Sequence, residues 1–246
     1  MKPYSVVITS FDKRFEPFLV PLIKQIKQYR PTLEISVMIN GPYKSPFDQK
    51  FRSQLLQFLG TMDQCYPTIF PNFQSLAKLW NRGVLHCTNE RVLVLNDDVS
   101  IEKSFFDALE KQLTQLPNTF QINGSFSHFV INRSELIEVG FFDERLLGLG
   151  EEDGDFFWRY FQHYDREISS VDIAHIENIH SEIRDEGYTT GIRTASRFNR
   201  DFIKQRKYQD VLIGYKGMFD KKVKKLLPDE EQYPYEYFYL KHRDEL

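Results

Sequence analysis

The sequence predicts an α/β fold in which a mostly parallel central sheet is flanked by helices. Three observations lead to this prediction. Strand-like and helix-like segments alternate over the first two-thirds of the chain, Arg91–Leu95 contains only Val and Leu after its arginine, and the turn signal Asn40-Gly41-Pro42 separates two of the segments. A strand built only of apolar residues is typical of a parallel sheet that is covered on both faces.

The first half of the chain alternates strictly between the two element types. The predicted strands are Tyr4–Thr9, Glu34–Ile39, Pro67–Phe70 and Arg91–Leu95, and the predicted helices are Glu16–Tyr29, Ser45–Leu59 and Ser75–His86. Each strand is short and mostly β-branched or apolar, whereas each helix repeats apolar residues on one face, as Leu22, Ile23 and Ile26 do. Ligands of such sheets gather at the carboxyl ends of the strands, so the residues that follow each strand are candidates for a site.

The second half is predicted to be more mixed. Its segments are two strands within Thr119–Asn132, broken at Gly124, then a helix Arg133–Gly140, a helix Glu151–Tyr164, a strand Arg166–His175 and a basic helix Arg193–Lys207. We expect residues 1–185 to form one domain, with halves at 1–100 and 101–185. Residues 186–246 are expected to form a helical and aromatic C-terminal extension.

Composition narrows the function classes. The 246 residues carry 32 basic and 35 acidic side chains, a net charge of −3, which argues against a nucleic-acid-binding protein. No run approaches the roughly 20 apolar residues that span a bilayer. The two cysteines have no metal-type spacing and the start of the chain reads as a strand, so we expect a cytoplasmic protein. The terminal Arg-Asp-Glu-Leu resembles an endoplasmic-reticulum retrieval signal, and we attribute this resemblance to chance.

The first candidate site is Leu95-Asn96-Asp97-Asp98-Val99. Adjacent acids directly after a buried strand need a partner, and a divalent cation that bridges a diphosphate supplies one. An alternative is that an Asp caps the helix around Glu102.

The second candidate is Gly148–Asp155, in which four acids fall within five residues at the start of a helix. Carboxylates are favoured in a first helical turn, but this many repel each other. Such crowding raises the pKa of one of them and suits a general base. The two glycines of the segment allow close approach of the backbone to a ligand.

Three further features are open to two interpretations each. His180 follows a predicted strand and is a ligand only if the other motifs are functional. The basic helix, with Arg193, Arg197 and Arg200 on one side, is either a lid over a diphosphate or a solvated face. The basic and aromatic tail either packs on the domain or on a second copy of the chain, or contacts an anionic membrane surface.

Together these segments resemble the nucleotide-sugar glycosyltransferases of the GT-A fold, which is Rossmann-like, and within them the family 2 group of bacterial polysaccharide enzymes. The resemblance covers Tyr4 to Ser181. It implies that residues 1–185 are a catalytic domain with a nucleotide-binding half (1–100) and an acceptor half (101–185). The matching segments are Val6–Arg14 (nucleotide-binding opening), Ser75–Gly83 (helix before the metal strand), Leu95–Val99 (Asp-X-Asp position), and Val139–Arg145 with Gly150–Phe156 and Arg159 (acceptor-side motif). The sequence departs from the family at Asn96, where the triplet usually begins with an acid, and at Ile39, where an Asp usually reads the base.

The resemblance implies a role for each candidate. Asp98 would bind Mn²⁺ or Mg²⁺, with His180 as a further metal or diphosphate contact. Asp153 would deprotonate the acceptor hydroxyl, with Glu152 the next candidate. The residues expected on the donor side are Thr9, Ser10, Asn40, Asn81, Asn96, Asp97 and Arg193.

The resemblance also implies a reaction. A sugar would pass from a UDP- or dTDP-linked donor to a saccharide or lipid-linked saccharide acceptor, with inversion, in bacterial surface polysaccharide synthesis. Such an enzyme would be cytoplasmic or peripheral on the cytoplasmic membrane face. One alternative is a catalytically silent subunit that binds a nucleotide or sugar. A sugar nucleotidyltransferase is disfavoured because Ser10–Arg14 contains no glycine.

Overall fold

The structure is a computed structural model that describes residues 3–42, 45–179, 197–209 and 225–226. Its strands are β1 (Tyr4–Ser10), β2 (Glu34–Ile39), β3 (Cys65–Ile69), β4 (Arg91–Asn96), β5 (Val99–Ile101), β6 (Phe120–Ile122), β7 (Ser125–Asn132), β8 (Ser169–Val171), β9 (Ile176–Asn178), β10 (Tyr208–Gln209) and β11 (Lys225–Leu226). Its α-helices are α1 (Val20–Tyr29), α2 (Gln49–Gly60), α3 (Leu76–His86), α4 (Lys103–Gln115), α5 (Arg133–Val139) and α6 (Glu152–Tyr164). A C-terminal helix spans residues 197–202 and continues as the π-helical turn Ile203–Lys207.

The main sheet has seven strands in the order β3-β2-β1-β4-β7-β6-β8. The strands β3, β2, β1 and β4 are parallel to one another. The hairpin of β6 and β7 adds an antiparallel part, and β8 closes the edge parallel to β6. The predicted fold class, a mostly parallel sheet with flanking helices, is confirmed.

Helices cover both faces of this sheet, and the alternation within β1 shows how. Val6 and Ile8 pack in one apolar cluster with α1, α2 and α4, whereas Val7 packs in a second cluster with α3 and α6. Every residue of β1 and β2 is buried, as expected for central parallel strands. Gly83 of α3 lets that helix lie directly on β1, since a Cβ there would meet Cγ1 of Val7 at 2.5 Å.

Several predicted boundaries were wrong for local reasons. The helix predicted over Glu16–Tyr29 is entered through a 3₁₀ turn, Asp12–Arg14, and a π-helical turn, Phe15–Leu19, before α1 begins. The helix predicted over Ser45–Leu59 begins at Gln49, because the Asp48 side chain accepts a hydrogen bond from the Lys50 amide and caps it.

The region around Asp98 differs most from prediction. The short strand β5 follows Asp98 directly and pairs with β9. The strand predicted over Arg166–His175 is reduced to β8, and β9 begins at Ile176, just after the predicted end. The capping alternative is wrong, because α4 has Glu102 at its N-cap position, with no capping side-chain hydrogen bond.

Two further features bear on the predicted location and partners. Both cysteines, Cys65 and Cys87, are buried free thiols. Across the described ranges, no helix is long and apolar enough to cross a membrane. The tail predicted to contact a membrane or a second subunit falls largely outside those ranges.

Candidate active site

A cavity opens at the carboxyl ends of β1 and β4, the place that the strand order predicts for a ligand. Its lining residues are Thr9, Ser10, Phe11, Arg14, Leu76, Leu79, Asn96, Asp97, Asp98 and Leu149. Because β1 and β4 are parallel neighbours with Thr9 opposite Asn96, the two chain segments end side by side. Five of the predicted site residues therefore lie around one cavity, although their roles remain predictions.

The two acids of the triplet have different surroundings. Asp97 is 2% exposed and accepts a 2.5 Å hydrogen bond from the Ser10 hydroxyl, whereas the Asp98 side chain is 23% exposed. Burial raises the pKa of Asp97 to about 7, although Arg14 and Ser10 act in the opposite direction. Asp98 is thus the carboxylate that is more available to a ligand, and Asp97 holds the end of β1.

Arg14 was not predicted as a site residue, yet it contacts both acids. Its Nη2 lies 2.9 Å from Oδ1 of Asp97 and 2.6 Å from Oδ2 of Asp98. The signal that could have found it was a positive charge in the loop after the first strand, at the same sheet edge as the acidic pair.

The backbone of Asp98 is fixed by the small sheet of β5 and β9. The Ile179 amide donates a 2.7 Å hydrogen bond to the Asp98 carbonyl. His180, the next residue in the chain and the predicted second metal contact, lies outside the described residues, as does Arg193. Within the described ranges, no group of three or more His, Cys, Asp or Glu side chains is arranged to hold a metal ion.

The loop that precedes α6 reaches the same cavity. The Leu76 amide, at the start of α3, donates a 3.0 Å hydrogen bond to the Gly148 carbonyl, and Leu149 lines the cavity. Gly148 and Gly150 have φ values of 62° and 117°, a region that glycine enters without strain. The second motif therefore reaches the cavity of the first through Leu149 of its glycine loop.

Buried Asn199, from the C-terminal helix, clamps this loop. Its Nδ2 donates to the carbonyls of Leu147 and Gly150 at 3.0 and 2.7 Å, and its Oδ1 accepts from the Leu147 amide at 2.7 Å. Sequence reasoning missed Asn199, because no local pattern distinguishes it from any other helical Asn.

The acids at the start of α6 differ in burial and partners. Glu151 is 5% exposed and paired with Arg200 at 2.9 Å, and Glu152 is 4% exposed and accepts from the Gly150 amide at 2.6 Å. Burial, and secondarily the charge of Asp153, raises the pKa of Glu152 to about 8. A raised pKa among the four acids was predicted from crowding; the pKa of Glu152 is raised, but burial is the main cause and the charge of Asp153 the second. Asp153 is only half-buried and accepts from the Gly154 amide at 2.8 Å.

The fourth acid of the motif, Asp155, is fully buried in an ion network. Its carboxylate pairs with Arg159 and with Lys207, each at 2.9 Å. Lys207 also contacts Asp143, which Arg145 approaches at 2.7 Å. Burial would raise the pKa of Asp143, but Lys207 and Arg145 together hold it well below its ordinary value. These charges tie the C-terminal helix to the acceptor-side motif.

Two predicted donor contacts, Asn40 and Asn81, bond to backbone groups beside the cavity, and their expected role stays a prediction. The amide of Asn40 donates to the Gln74 carbonyl at 3.1 Å and accepts from the Gln74 amide at 2.8 Å. The amide of Asn81 is 0% exposed; it donates to the Phe142 carbonyl and accepts from the Phe142 amide. Both side chains anchor loops beside the site, and neither lines the cavity.

Fold and site together define a structural class: an α/β protein of GT-A-like fold, with an acidic pair at the sheet edge and the Gly148–Gly150 loop beside it. Residues 108–208 match the family described as "Glycosyltransferase like family 2". The predicted resemblance is thereby confirmed, and the matched segment includes Asn199 and Lys207. No curated protein matches the sequence.

Solved structures that resemble the chain have the same fold. S. aureus TarS 1-349 in complex with UDP-GlcNAc shares 16% identity at a TM-score of 0.56, over 75% of this chain and 60% of that one. Mycobacterium tuberculosis glucosyl-3-phosphoglycerate synthase with Mn²⁺, UDP and phosphoglyceric acid shares 12% sequence identity at a TM-score of 0.58, over 85% of this chain and 82% of that one. The Pyrobaculum calidifontis mannosyltransferase PcManGT with GDP-Man and Mn²⁺ shares 12% sequence identity at a TM-score of 0.59, over 76% of this chain and 60% of that one. The chain thus spans about 60% of the TarS fragment, and these likenesses support the predicted fold.

Proposed function

We propose that the protein is a glycosyltransferase that moves a sugar from a nucleotide-sugar donor to a saccharide hydroxyl with the help of a divalent cation. The observation that carries the proposal is the shared cavity, where the Asp97–Asp98 pair at the end of β4 faces the Gly148–Gly150 loop of the acceptor-side motif. That is the juxtaposition a transfer between a bound diphosphate and an acceptor requires.

The donor set fits Mn²⁺ or Mg²⁺ bound together with a diphosphate. These ions commonly take one or two carboxylates and complete their coordination with phosphate oxygens and water. Asp98 supplies the accessible carboxylate, and we propose His180 as a further contact because the preceding residue, Ile179, is bonded to the Asp98 backbone. When bound, the cation would neutralise charge that develops on the departing nucleoside diphosphate.

We propose Asp153 as the general base. Of the four acids at the start of α6 it is the least buried; Glu151 and Asp155 are ion-paired, and Glu152 has a pKa raised to about 8. Asp153 would take the proton of the acceptor hydroxyl as its oxygen attacks the anomeric carbon, and the nucleoside diphosphate would leave from the opposite side, inverting that centre.

The finer assignment is a UDP- or dTDP-linked donor and a saccharide or lipid-linked saccharide acceptor, in bacterial surface polysaccharide synthesis. Support for the donor class comes from UDP-GlcNAc, UDP and GDP-Man in the complexes of structural neighbours. Thr9, Ser10, Asn96 and Asp97 would border the nucleoside and sugar. We propose that the protein is cytoplasmic, with peripheral contact to the cytoplasmic face of the membrane. We also propose that it forms a homodimer.

The direct test is a thermal-shift panel of nucleoside diphosphates and nucleotide sugars with and without Mn²⁺, followed by donor hydrolysis on the best ligand. We expect a cation-dependent shift with a uridine or thymidine diphosphate. Asp98→Ala should abolish the cation-dependent part and lower turnover by about 100-fold or more, as loss of a transition-state charge contact does. The matched control is Asp107→Ala on the exposed side of α4, where the Asp107 side chain is 60% exposed.

Two outcomes would contradict the proposal. Stabilisation by guanosine diphosphate alone would change the donor assignment. Ligand binding with no hydrolysis and no transfer to any saccharide would favour the catalytically silent binding subunit instead.

A further inference from the structure

Arg14 occupies the position between the two acids of the cavity. Its side chain is 13% exposed, and its guanidinium lies against the rings of Phe18 and Phe11, with the central carbon 5.0 and 5.7 Å from their centroids. A single nitrogen, Nη2, lies within ion-pair distance of both Asp97 and Asp98. In this arrangement, one positive charge neutralises part of the charge of two carboxylates.

In this position the guanidinium makes fewer hydrogen bonds than its N–H groups allow. Nη2 is close to both carboxylates but is not aligned for a hydrogen bond with either, and the buried Nε has no hydrogen-bond partner among the described residues. A guanidinium offers five N–H donors in a planar fork that matches a phosphate group. Arg14 therefore retains donors for an anion that enters the cavity it lines.

A divalent cation on Asp98 and the guanidinium of Arg14 exclude each other. Oδ2 of Asp98 is 2.6 Å from Nη2, so a cation bound to that oxygen would meet a like charge within a few ångströms, where repulsion is strong. Arg14 ends a three-residue 3₁₀ turn that follows β1, so a new rotamer of its side chain would leave the pairing of that strand unchanged.

We propose that Arg14 exchanges one anionic partner for another during ligand binding. It pairs with Asp97 and Asp98 before the cation binds, and it binds the diphosphate of the donor once the cation has bound Asp98. This proposal rests on the proposed function, since it assigns a further ligand to the same site. It requires Arg14 to oppose the cation when no donor is present and to support the donor once the cation is bound. Cation and donor should therefore bind cooperatively, each raising the affinity of the other.

The test measures Mn²⁺ binding by electron paramagnetic resonance without donor, and nucleoside diphosphate binding by calorimetry at saturating Mn²⁺. Arg14→Met should bind Mn²⁺ alone about tenfold more tightly, equivalent to about 1.4 kcal/mol. It should also bind the diphosphate about tenfold or more weakly, as expected for a lost charge-assisted hydrogen bond. Arg14→Lys keeps the charge without the fork, so we expect it to oppose Mn²⁺ as wild type does but to bind the diphosphate more weakly.

Lys13→Met is the matched control, because it removes an exposed positive charge from the same turn; both affinities should stay within twofold of wild type, well below the tenfold effects expected at Arg14. Arg14→Gln serves if Arg14→Met is not folded by circular dichroism. Donor-free Mn²⁺ affinity that is unchanged or weaker in the charge-removing variant, Arg14→Met or Arg14→Gln, overturns this inference and leaves the proposed function standing. Failure of wild type and variants alike to bind Mn²⁺ with any nucleotide overturns both.

Discussion

The acids at the start of α6 show how neighbouring side chains of similar chemistry come to differ. Glu151 is neutralised by Arg200, Asp155 by Arg159 and Lys207, and Glu152 is withdrawn from water. Asp153 is only half-buried, and it is the acid that we propose for the acceptor. The sequence indicated that one of the four acids is the base, and the differences in burial and ion pairing favour Asp153.

Asp153→Asn should lower kcat by about 10²–10⁴-fold, the usual contribution of a general base. Donor affinity should change little, because the amide keeps the shape and the hydrogen bond from the Gly154 amide. Steady-state transfer kinetics and donor calorimetry measure the two effects. Asp165→Asn, at the other end of α6 and with φ 51°, is the control, since Asn tolerates that backbone region. Near-wild-type turnover of Asp153→Asn would remove this residue from the mechanism.

Glu152→Gln tests the raised pKa through stability. The folded state keeps the Glu152 proton up to a pKa of about 8, whereas the unfolded chain releases it near 4.5, so the wild type loses stability as pH rises between these values. Glutamine has no proton to release. The free energy of unfolding of the variant, relative to that of wild type, should therefore rise by up to about 1.4 kcal/mol per pH unit across that window.

Urea unfolding of both proteins at pH 5.5 and 7.5 measures this difference. Glu16→Gln, at an exposed position, supplies the control. A stability difference between wild type and Glu152→Gln that is the same at both pH values would show that Glu152 is ionised in the folded protein.

Side chains that anchor loops explain why the elements around the cavity stay in place. Asn40 fixes the segment before α3, Asn81 fixes Phe142 within the acceptor-side motif, and Asn199 fixes the glycine loop. Each satisfies backbone groups that would otherwise be buried without partners, which is costly. Asn40 and Asn81 were predicted as donor contacts, because a sequence reports an amide but not the direction in which it points.

The C-terminal helix is joined to the acceptor-side motif by buried charge. Lys207→Met should lower the free energy of unfolding by about 3–5 kcal/mol, because it leaves Asp143 and Asp155 buried with one partner fewer. Urea denaturation measures the loss, and Lys111→Met, at an exposed position of α4, is the control. A loss below about 1 kcal/mol, the range of exposed ion pairs, would mean that the network does not hold the helix.

The molecule as a whole follows from a pattern that is visible in the chain. Alternating periodicity predicted the parallel strands β1 to β4 and the helices between them, with β2 at its observed bounds. The short strand β5 was missed, because three residues carry too little pattern to be distinguished from a loop. Its partner, β9, lies far along the chain, so its existence depends on a pairing that periodicity does not report.

The order of strands and the kind of residue after each one placed Thr9, Ser10, Asn96, Asp97 and Asp98 at one sheet edge, since parallel strands end at a common edge. The chain alone could supply this because the information is local and periodic. The position of Arg14 between the acids, the inward turn of Asn40 and Asn81, and the burial that separates Asp153 from Glu152 came from the packed structure. These properties depend on distances and solvent access between segments far apart in sequence, which exist only after the helices have packed on both faces of the sheet.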